Sequence, residues 1–180
     1  MRKWSLASTE VVGKYRVFDV ARHDVIDADA RPRRDVYCFV CPDWCNVVAL
    51  TDKDELVLIW QYRFGTDALG LEIPGGMIEP GESPLEAAKR ELREETGYEA
   101  ESFEHLLTIE PNPALQGNRC HTFLARGARL AGKTAFDDLE ECELALIPSI
   151  HTADLLDGGH ITHALVVVAL ERFLRKCPRA

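Results

Sequence analysis

The sequence has no long uninterrupted hydrophobic stretch, although 46% of its 180 residues are apolar. No run reaches the roughly 18 apolar residues of a membrane-spanning helix, so a helical membrane protein is not expected. The charged start, Met1 to Ser5, is followed by mixed polar sequence, whereas a secretory signal peptide needs an apolar segment there. We expect a cytoplasmic protein with one globular domain, since a chain of this length can bury a sizeable core.

Clusters of lysine and arginine are also missing. The chain carries 21 Lys and Arg against 30 Asp and Glu, a formal net charge of −9. Because no basic surface is available for the phosphate backbone, binding to long DNA or RNA is not expected. A small anionic ligand remains compatible with this charge, provided that a cation lies between the ligand and the protein.

Cysteine is present, but not in the pairs that define a zinc finger. A zinc-dependent binding module could be built on Cys38, Cys41 and Cys45. However, no second Cys/His pair follows at the spacing of a zinc finger. Cys38 also lies in a strand-like run, where cysteine behaves as a small apolar residue. We therefore expect the six cysteines to bind no metal and to form no disulfides.

Three histidines near the C-terminus also have a metal-like spacing: His151, His160 and His163. We expect ordinary surface or capping roles for these histidines.

Strand-like and helix-like segments alternate along the chain, without repeats or long linkers. The predicted strands are Tyr15–Val20, Val36–Val40, Asn46–Leu50, Leu56–Tyr62, Phe103–Ile109, Cys120–Ala125 and Glu143–Ile147. The predicted helices are Pro84–Thr96, Thr152–Leu156 and Ile161–Lys176. This pattern favours an α/β fold with a mixed sheet that is covered on both faces. Residues 1–35 are strand-rich but charged, so we expect an N-terminal arm on a core of residues 36–180.

The first predicted helix, in the middle of the chain, has the clearest boundary signals. Ser83 is a favourable N-cap, Pro84 suits the first helical position, and Glu86 completes a capping box with Ser83. Gly97 is a typical C-terminal stop. The sequence therefore predicts a helix over Pro84–Thr96 that is bounded at both ends.

This helix combines an apolar stripe with acidic side chains. At about 100° per residue, the face expected to pack on the core is formed by Leu85, Ala88, Leu92 and Thr96. The neighbouring arc carries Glu91, Glu94 and Glu95. We expect Arg90 and Arg93 to point around the helix rather than into this arc. An acidic arc beside the core suits a hard divalent cation, but on helix geometry alone a solvated acidic face is the more common explanation.

The full spacing of the segment resembles the Nudix box. Its defined positions are filled by Gly76, Glu82, Arg90-Glu91-Leu92, Glu94-Glu95, Gly97 and Tyr98. The chain is therefore identified as a member of the Nudix family, which implies an α/β/α sandwich whose helix presents ligands of Mg²⁺ or Mn²⁺. The implied metal ligands are Glu91 and Glu95 as the main ones, Glu94 as an additional one, and the Gly75 carbonyl. The resemblance also implies that Glu82 and Arg90 hold the loop and the helix in register through a salt bridge.

Features around the box are similar to the branch of ADP-ribose and nucleoside-diphosphate-sugar pyrophosphatases. They comprise the segments Gln61–Phe64, Leu71–Gly76 and Gly159–Ala164, together with Pro113. This likeness implies metal-dependent hydrolysis of a pyrophosphate bond, which gives a nucleoside monophosphate and a sugar phosphate. The alternatives are another Nudix activity, on dinucleoside polyphosphates or nucleoside triphosphates, and a non-catalytic nucleotide-sensing module.

Residues outside the box are candidates for substrate contacts, namely Arg63, Glu72, Asn118 and Arg119. Arg63 is the first choice, because a guanidinium can bind two phosphate oxygens at once. The alternative for Arg63 is a salt bridge at the end of a strand. For Asn118 and Arg119 the alternative is an ordinary solvated loop.

The catalytic base is predicted in the acidic loop before Leu144 rather than on the box helix. Carboxylates that already bind metal are poorly placed to accept a proton, and a loop can move with the substrate. Glu140 is favoured for its reach, followed by Glu141 and Asp138. The alternative for each is a solvated loop charge, which would leave Glu94 as the leading candidate.

The N-terminal arm has little core of its own, and the branch that the chain resembles is habitually dimeric. We therefore expect a homodimer in which residues before about 35 contribute strands to the partner.

Overall fold

The computed structural model describes residues 2–135 and 141–177. Its strands are β1 (Ser5–Lys14), β2 (Asp19–Ile26), β3 (Pro32–Val40), β4 (Trp44–Thr51), β5 (Glu55–Arg63), β6 (Ala68–Glu72), β7 (Gly75–Met77), β8 (Tyr98–Glu99), β9 (Ser102–Ile109), β10 (Cys120–Leu130) and β11 (Cys142–Pro148). Its helices are α1 (Pro84–Thr96), α2 (Thr152–Asp157) and α3 (Ala164–Lys176). No helix in these two ranges has the length and apolar character needed to cross a bilayer.

The chain divides into two compact units, the first of which comprises Met1–Asp43 and Glu110–Arg119. This unit contains an antiparallel sheet in the order β1-β2-β3. Most side chains of β1 are exposed. The predicted strand at Tyr15–Val20 is wrong, because the Tyr15 backbone N–H donates to the Phe18 carbonyl in a turn and β2 begins at Asp19.

The second unit comprises Trp44–Ile109 and Cys120–Ala180. Its sheet has the order β11-β5-β4-β10-β8, with β6 paired to β5, β7 to β4 and β9 to β10. β4 and β10 run parallel, whereas the other pairs are antiparallel. The prediction of a mixed sheet is therefore confirmed.

Alternate residues of the central strands pack on opposite faces of this sheet. Val48 and Leu50 of β4 join a core that includes Leu170 of α3. Val47 of β4 joins a second core that includes Leu92 of α1. Because side chains alternate across a strand, the sheet is covered on both faces, and the predicted α/β/α sandwich is confirmed.

α1 has the predicted bounds, and its local signals act as expected. Ser83 and Glu86 form both hydrogen bonds of the capping box, and Gly97 ends the helix in the left-handed conformation at φ 73°. The buried face differs from the predicted stripe, because Leu85 is 36% exposed. The buried residues are Ala87, Ala88, Glu91, Leu92, Glu95 and Thr96. Leu85 lies on the same side of the helix as Leu92 and Thr96, but in its first turn, where the helix has only just begun.

α3 begins at Ala164 rather than at the predicted Ile161. His163 occupies the N-cap position, but its side chain makes no capping hydrogen bond. A capping role for this histidine is therefore wrong, because its ring is engaged elsewhere in the same unit.

Candidate active site

The glycine pair of β7 brings the backbone close to both β4 and α1. Gly75 pairs with Asn46 and Gly76 with Cys45. A Cβ at Gly75 would lie 2.3 Å from the Cys45 carbonyl oxygen, and a Cβ at Gly76 would lie 2.4 Å from Glu91 Oε1. A side chain at Gly75 would therefore clash with the backbone, and one at Gly76 would displace the Glu91 carboxylate, so the strand passes directly beside the acidic side of the helix.

The acidic arc of α1 is largely buried. Glu91 is 7% exposed and Glu95 is 3% exposed, whereas the Glu94 side chain is 42% exposed. The Gly75 backbone N–H donates to Glu95 Oε2 over 2.8 Å. The interpretation as a solvated acidic face is therefore wrong for Glu91 and Glu95, because both carboxylates lie against the sheet.

Arg90 connects the loop before α1 to this arc. Its Nε and Nη2 atoms donate to the two carboxylate oxygens of Glu82, each over 3.0 Å, so the expected salt bridge is present. Its Nη1 atom donates to Glu91 over 2.8 Å and to Glu94 over 3.1 Å. The expectation that Arg90 points away from the arc is wrong, because buried carboxylates need a nearby opposite charge. Arg93 does point away and pairs with Glu99.

The two partners of the Glu82–Arg90 salt bridge stabilise each other's charged forms. The hydrogen bond from Arg90 is the main reason that the pKa of Glu82 lies below its usual value. The hydrogen bond to Glu82 likewise raises the pKa of Arg90. Both groups are therefore ionised at neutral pH, and the loop stays attached to the helix.

The donor chemistry of α1 fits a divalent cation. Carboxylate oxygens are the ligands that Mg²⁺ and Mn²⁺ prefer, and the space left by Gly76 admits the Glu91 carboxylate. In residues 2–135 and 141–177, no three His, Cys, Asp or Glu side chains converge in a ligating arrangement. At α1 the Arg90 guanidinium lies between the carboxylates of Glu91 and Glu94.

Two of the predicted substrate contacts, Arg63 and Glu72, bind each other. Arg63 Nε and Nη2 donate to the two oxygens of Glu72, each over 2.8 Å. His163 Nδ1 lies 2.6 Å from Glu72 Oε2. Burial alone would raise the pKa of Glu72, but the hydrogen bonds from Arg63 and His163 outweigh it and hold that pKa at about 2. The alternative of a strand-end salt bridge is thus observed for Arg63, and its contact with substrate stays a prediction.

The remaining predicted residues are two substrate contacts and the candidate bases. Asn118 and Arg119 belong to the first unit, where the Asn118 side-chain amide donates to the Pro42 carbonyl over 2.9 Å and the Arg119 backbone N–H donates to Asp43 over 2.8 Å. Glu141 is exposed immediately before β11. The other candidate bases lie outside the described residues: Asp138 and Glu140.

Two polar residues of the second unit, His163 and Gln61, were not predicted as site residues from the sequence. Gln61 is 7% exposed, and its side-chain oxygen accepts no hydrogen bond within the described part of the chain. The available signal was a polar residue inside the apolar run of β5. His163 carries no comparable local signal, since its partner Glu72 is 91 residues away in the sequence.

None of the six cysteines forms a disulfide in the structure. Cys38 lies in a strand, as predicted. Cys45 is 2% exposed, and burial is the main reason that the pKa of its thiol rises to about 12. A thiol of this kind stays protonated at neutral pH and is a poor metal ligand.

Comparison with known families decides the classification. Residues 45–165, more than half of the chain, match the Nudix domain. The chain belongs to the Nudix family. The match includes α1 and every box residue from Gly76 to Tyr98, so the prediction from the box spacing is confirmed.

Relatives of this Nudix chain include proteins named as hydrolases and as a pyrophosphatase. An ADP compounds hydrolase, NudE, of Escherichia coli is 30% identical over 94% of this chain and 91% of its own length. An ADP-ribose pyrophosphatase of Bacillus subtilis is 29% identical over 72% of this chain and 71% of its own length. A CMP-5'-(N-acetyl-N-hydroxy-3-aminopropyl)phosphonate hydrolase of Streptomyces rubellomurinus is 32% identical over 72% of this chain, and the match spans only 62% of that relative. The predicted likeness to the ADP-ribose branch is confirmed.

A solved structure is similar over the full length of the Nudix chain. The crystal structure of an ADP compounds hydrolase superposes with a TM-score of 0.86 and 27% identity. The superposition covers 100% of this chain and 98% of the other. The predicted Nudix fold is therefore confirmed.

Proposed function

We propose that this protein hydrolyses the pyrophosphate bond of a nucleoside diphosphate sugar, with ADP-ribose as the leading candidate. The products would be AMP and ribose 5-phosphate. The observation that carries the proposal is the pair of buried carboxylates, Glu91 and Glu95, held against Gly75 and Gly76 in a Nudix fold. The names of the E. coli and B. subtilis relatives support an ADP-linked substrate.

The proposed cofactor is Mg²⁺ or Mn²⁺, held by the three α1 carboxylates and the Gly75 carbonyl. Such a cation, when bound, neutralises the phosphates and activates water. Arg90 remains attached to Glu82 and keeps Glu91 and Glu94 oriented. The α1 carboxylates therefore supply the metal site, and the loop before β11 supplies the base.

Arg63 is proposed as the first contact to the phosphates, and Glu72 is proposed to take part in substrate binding through Arg63, to which both of its oxygens bind. Asn118 and Arg119 stay predicted substrate-binding residues. Arg63 is favoured because its side chain is 42% exposed although its partner Glu72 is buried. Its free N–H groups suit phosphate oxygens.

The test of the metal assignment is Glu95→Gln, with Glu99→Gln as the matched control. Glu99 lies just beyond the same helix, is exposed and pairs with Arg93. Glu95→Gln should abolish turnover of ADP-ribose at saturating Mg²⁺, while Glu99→Gln should retain it. Circular dichroism checks that both variants fold. Near wild-type turnover by Glu95→Gln would contradict the assignment.

The test of the base is a set of single substitutions to glutamine or asparagine in the acidic loop. Glu140→Gln should lower kcat by about 10²–10⁴ and leave metal affinity almost unchanged. Glu141→Gln and Asp138→Asn test the next candidates. If all three variants stay within threefold of the wild type, the loop-base assignment fails and Glu94 becomes the leading candidate.

A substrate panel separates this proposal from the other Nudix activities. It should contain ADP-ribose, other nucleoside diphosphate sugars, dinucleoside polyphosphates and nucleoside triphosphates. The proposed function predicts the highest kcat/KM for a nucleoside diphosphate sugar. If the protein binds one of these compounds but hydrolyses none of them, it is a sensing module instead.

The assembly proposed with this function is a cytoplasmic homodimer that uses the N-terminal strands. It is supported by the number of large apolar side chains that are exposed on the first unit. These side chains are Trp4, Leu6, Val11, Val12, Tyr37, Phe39 and Val40. Light scattering at micromolar concentration should give about twice the chain mass of 20.2 kDa. A mass of one chain would contradict the dimer.

A further inference from the structure

We propose that His163 is a positioning residue, which holds Glu72 so that Glu72 in turn fixes the Arg63 guanidinium for its contact with the substrate phosphates. The inference rests on the hydrolase function proposed above and on Arg63 as a phosphate contact. It assigns a role to a residue at the start of α3, far in sequence from the Nudix box.

The cluster formed by Arg63, Glu72 and His163 is a short chain of hydrogen bonds in which only Glu72 is buried. Glu72 has a 3% exposed side chain, whereas those of Arg63 and His163 are 42% and 41% exposed. Arg63 occupies both Glu72 oxygens, and His163 Nδ1 shares Oε2 with Arg63 Nη2. An ionised carboxylate only accepts hydrogen bonds, so Nδ1 of His163 must carry the proton and donate.

Two features of the neighbouring backbone allow the contact between His163 and Glu72. A Cβ at Gly70 would lie 2.9 Å from Glu72 Oε1, so the bare backbone of β6 leaves room for the carboxylate. His163 stands at the N-cap of α3, where Ser, Thr, Asp or Asn would usually bond the helix N–H groups. Its ring instead turns to Glu72. The helix therefore starts without a side-chain cap while this residue serves the cluster.

The cluster is connected to the box through β6 and β7. Glu72 ends β6, and three residues later Gly75 begins β7 and donates its N–H to Glu95. The nearby negative charge of Glu95 adds to the main effect of Glu72 in raising the pKa of Arg63. Arg63 is therefore held within electrostatic reach of a proposed metal ligand.

Arg63 keeps hydrogen-bonding capacity for a ligand. A guanidinium has five N–H groups, and in this structure Nε and one N–H of Nη2 bind Glu72. The side chain as a whole is 42% exposed, which leaves room for a ligand at the remaining N–H groups. A planar group fixed on one edge presents its other edge in one orientation, which suits bidentate binding of phosphate oxygens.

The first test compares steady-state kinetics on ADP-ribose for His163→Leu and His163→Asn. The leucine removes the donor, whereas the asparagine amide can donate in place of Nδ1. Looser orientation of Arg63 should raise KM in His163→Leu, by at most the about tenfold that one hydrogen bond to a charged group corresponds to, with kcat within about threefold because uniform binding is lost. His163→Asn should restore KM to within about threefold of the wild type. His160→Leu, an exposed neighbour, is the matched control.

A double-mutant cycle tests whether His163 acts through Arg63. In an Arg63→Gln background, His163→Leu should cause no further rise in KM. An additive rise, or equal KM values for the wild type and His163→Leu, would overturn the proposal. So would equal effects of leucine and asparagine at position 163.

A measurement without turnover separates this inference from the proposed function. The Arg63 Nε–H signal in ¹H–¹⁵N spectra should exchange slowly in the wild type and in His163→Asn, and rapidly in His163→Leu. If the wild type cleaves no compound of the substrate panel, the proposed function has failed, whatever this signal does. If it does cleave one but the signal is the same in all three proteins, the positioning role is wrong.

Discussion

The buried carboxylate of Glu72 should make the stability of the protein depend on pH in a defined way. Its pKa is held at about 2, against an ordinary value of 4.5. This difference corresponds to about 3 kcal/mol of unfolding free energy at pH 7. Because the pKa is lowered in the folded state, this stabilisation is present above pH 4.5 and is lost as the pH falls towards 2.

The variant that tests this reasoning is Glu72→Gln, which keeps the shape but removes the charge. At pH 7 its free energy of unfolding should be about 3 kcal/mol lower than that of the wild type, which lowers Tm by about 6–12 °C. At pH 3 the difference in free energy of unfolding should shrink to about 1 kcal/mol, because below pH 4.5 the unfolded wild type gains stability by protonating this carboxylate.

Urea unfolding followed by circular dichroism, from pH 7 down to pH 3, measures both values. Glu99→Gln serves as the control, because its exposed pair with Arg93 should contribute less than about 1 kcal/mol at any pH. The reasoning is refuted if Glu72→Gln is as stable as the wild type at pH 7. A loss of stability that stays constant down to pH 3 would also refute it, because the ionised form would then not be its source.

Three further substitutions or labels test local features. Ser83→Ala should remove one half of the capping box and cost about 1 kcal/mol in urea unfolding; an unchanged midpoint would show that the cap is dispensable. Gly97→Ala should lower the free energy of unfolding by more than Ser83→Ala, because φ is 73° and a Cβ would lie 2.5 Å from the Gly132 carbonyl oxygen. A stability within error of the wild type would argue against this backbone conformation. Cys45 should resist iodoacetamide at pH 8 in the native protein and react only in denaturant, as read by peptide mass spectrometry, since its thiol pKa is about 12. Labelling of native Cys45 at the rate of an exposed thiol would contradict its burial.

The parts of the fold that were predictable are those with local signals. α1 carries a cap, a capping box and a stop within its own sequence, so both of its bounds were correct. The strands that bury alternate faces were also predicted, although their ends moved by a few residues. β6 and β7 were missed, because each is short and is defined by its pairing with β5 and β4 rather than by a pattern of its own.

The orientation of side chains in the site was less predictable. The box spacing identified Glu91 and Glu95, but helix geometry alone could not show that Arg90 would turn towards them. That orientation depends on where the Glu82 loop lies and on the burial of the carboxylates. The contact between His163 and Glu72 joins two segments that only the tertiary fold brings together.

The central claim, hydrolysis of the pyrophosphate bond of a nucleoside diphosphate sugar, is tested most directly by following the oxygen of the attacking water. ADP-ribose should be incubated with the purified protein and Mg²⁺ in ¹⁸O-labelled water, and the products analysed by mass spectrometry. The account predicts AMP and ribose 5-phosphate, with one ¹⁸O atom in the phosphate of one product and no reaction without the metal. ADP and free ribose, or intact ADP-ribose after prolonged incubation with Mg²⁺ or Mn²⁺, would contradict it.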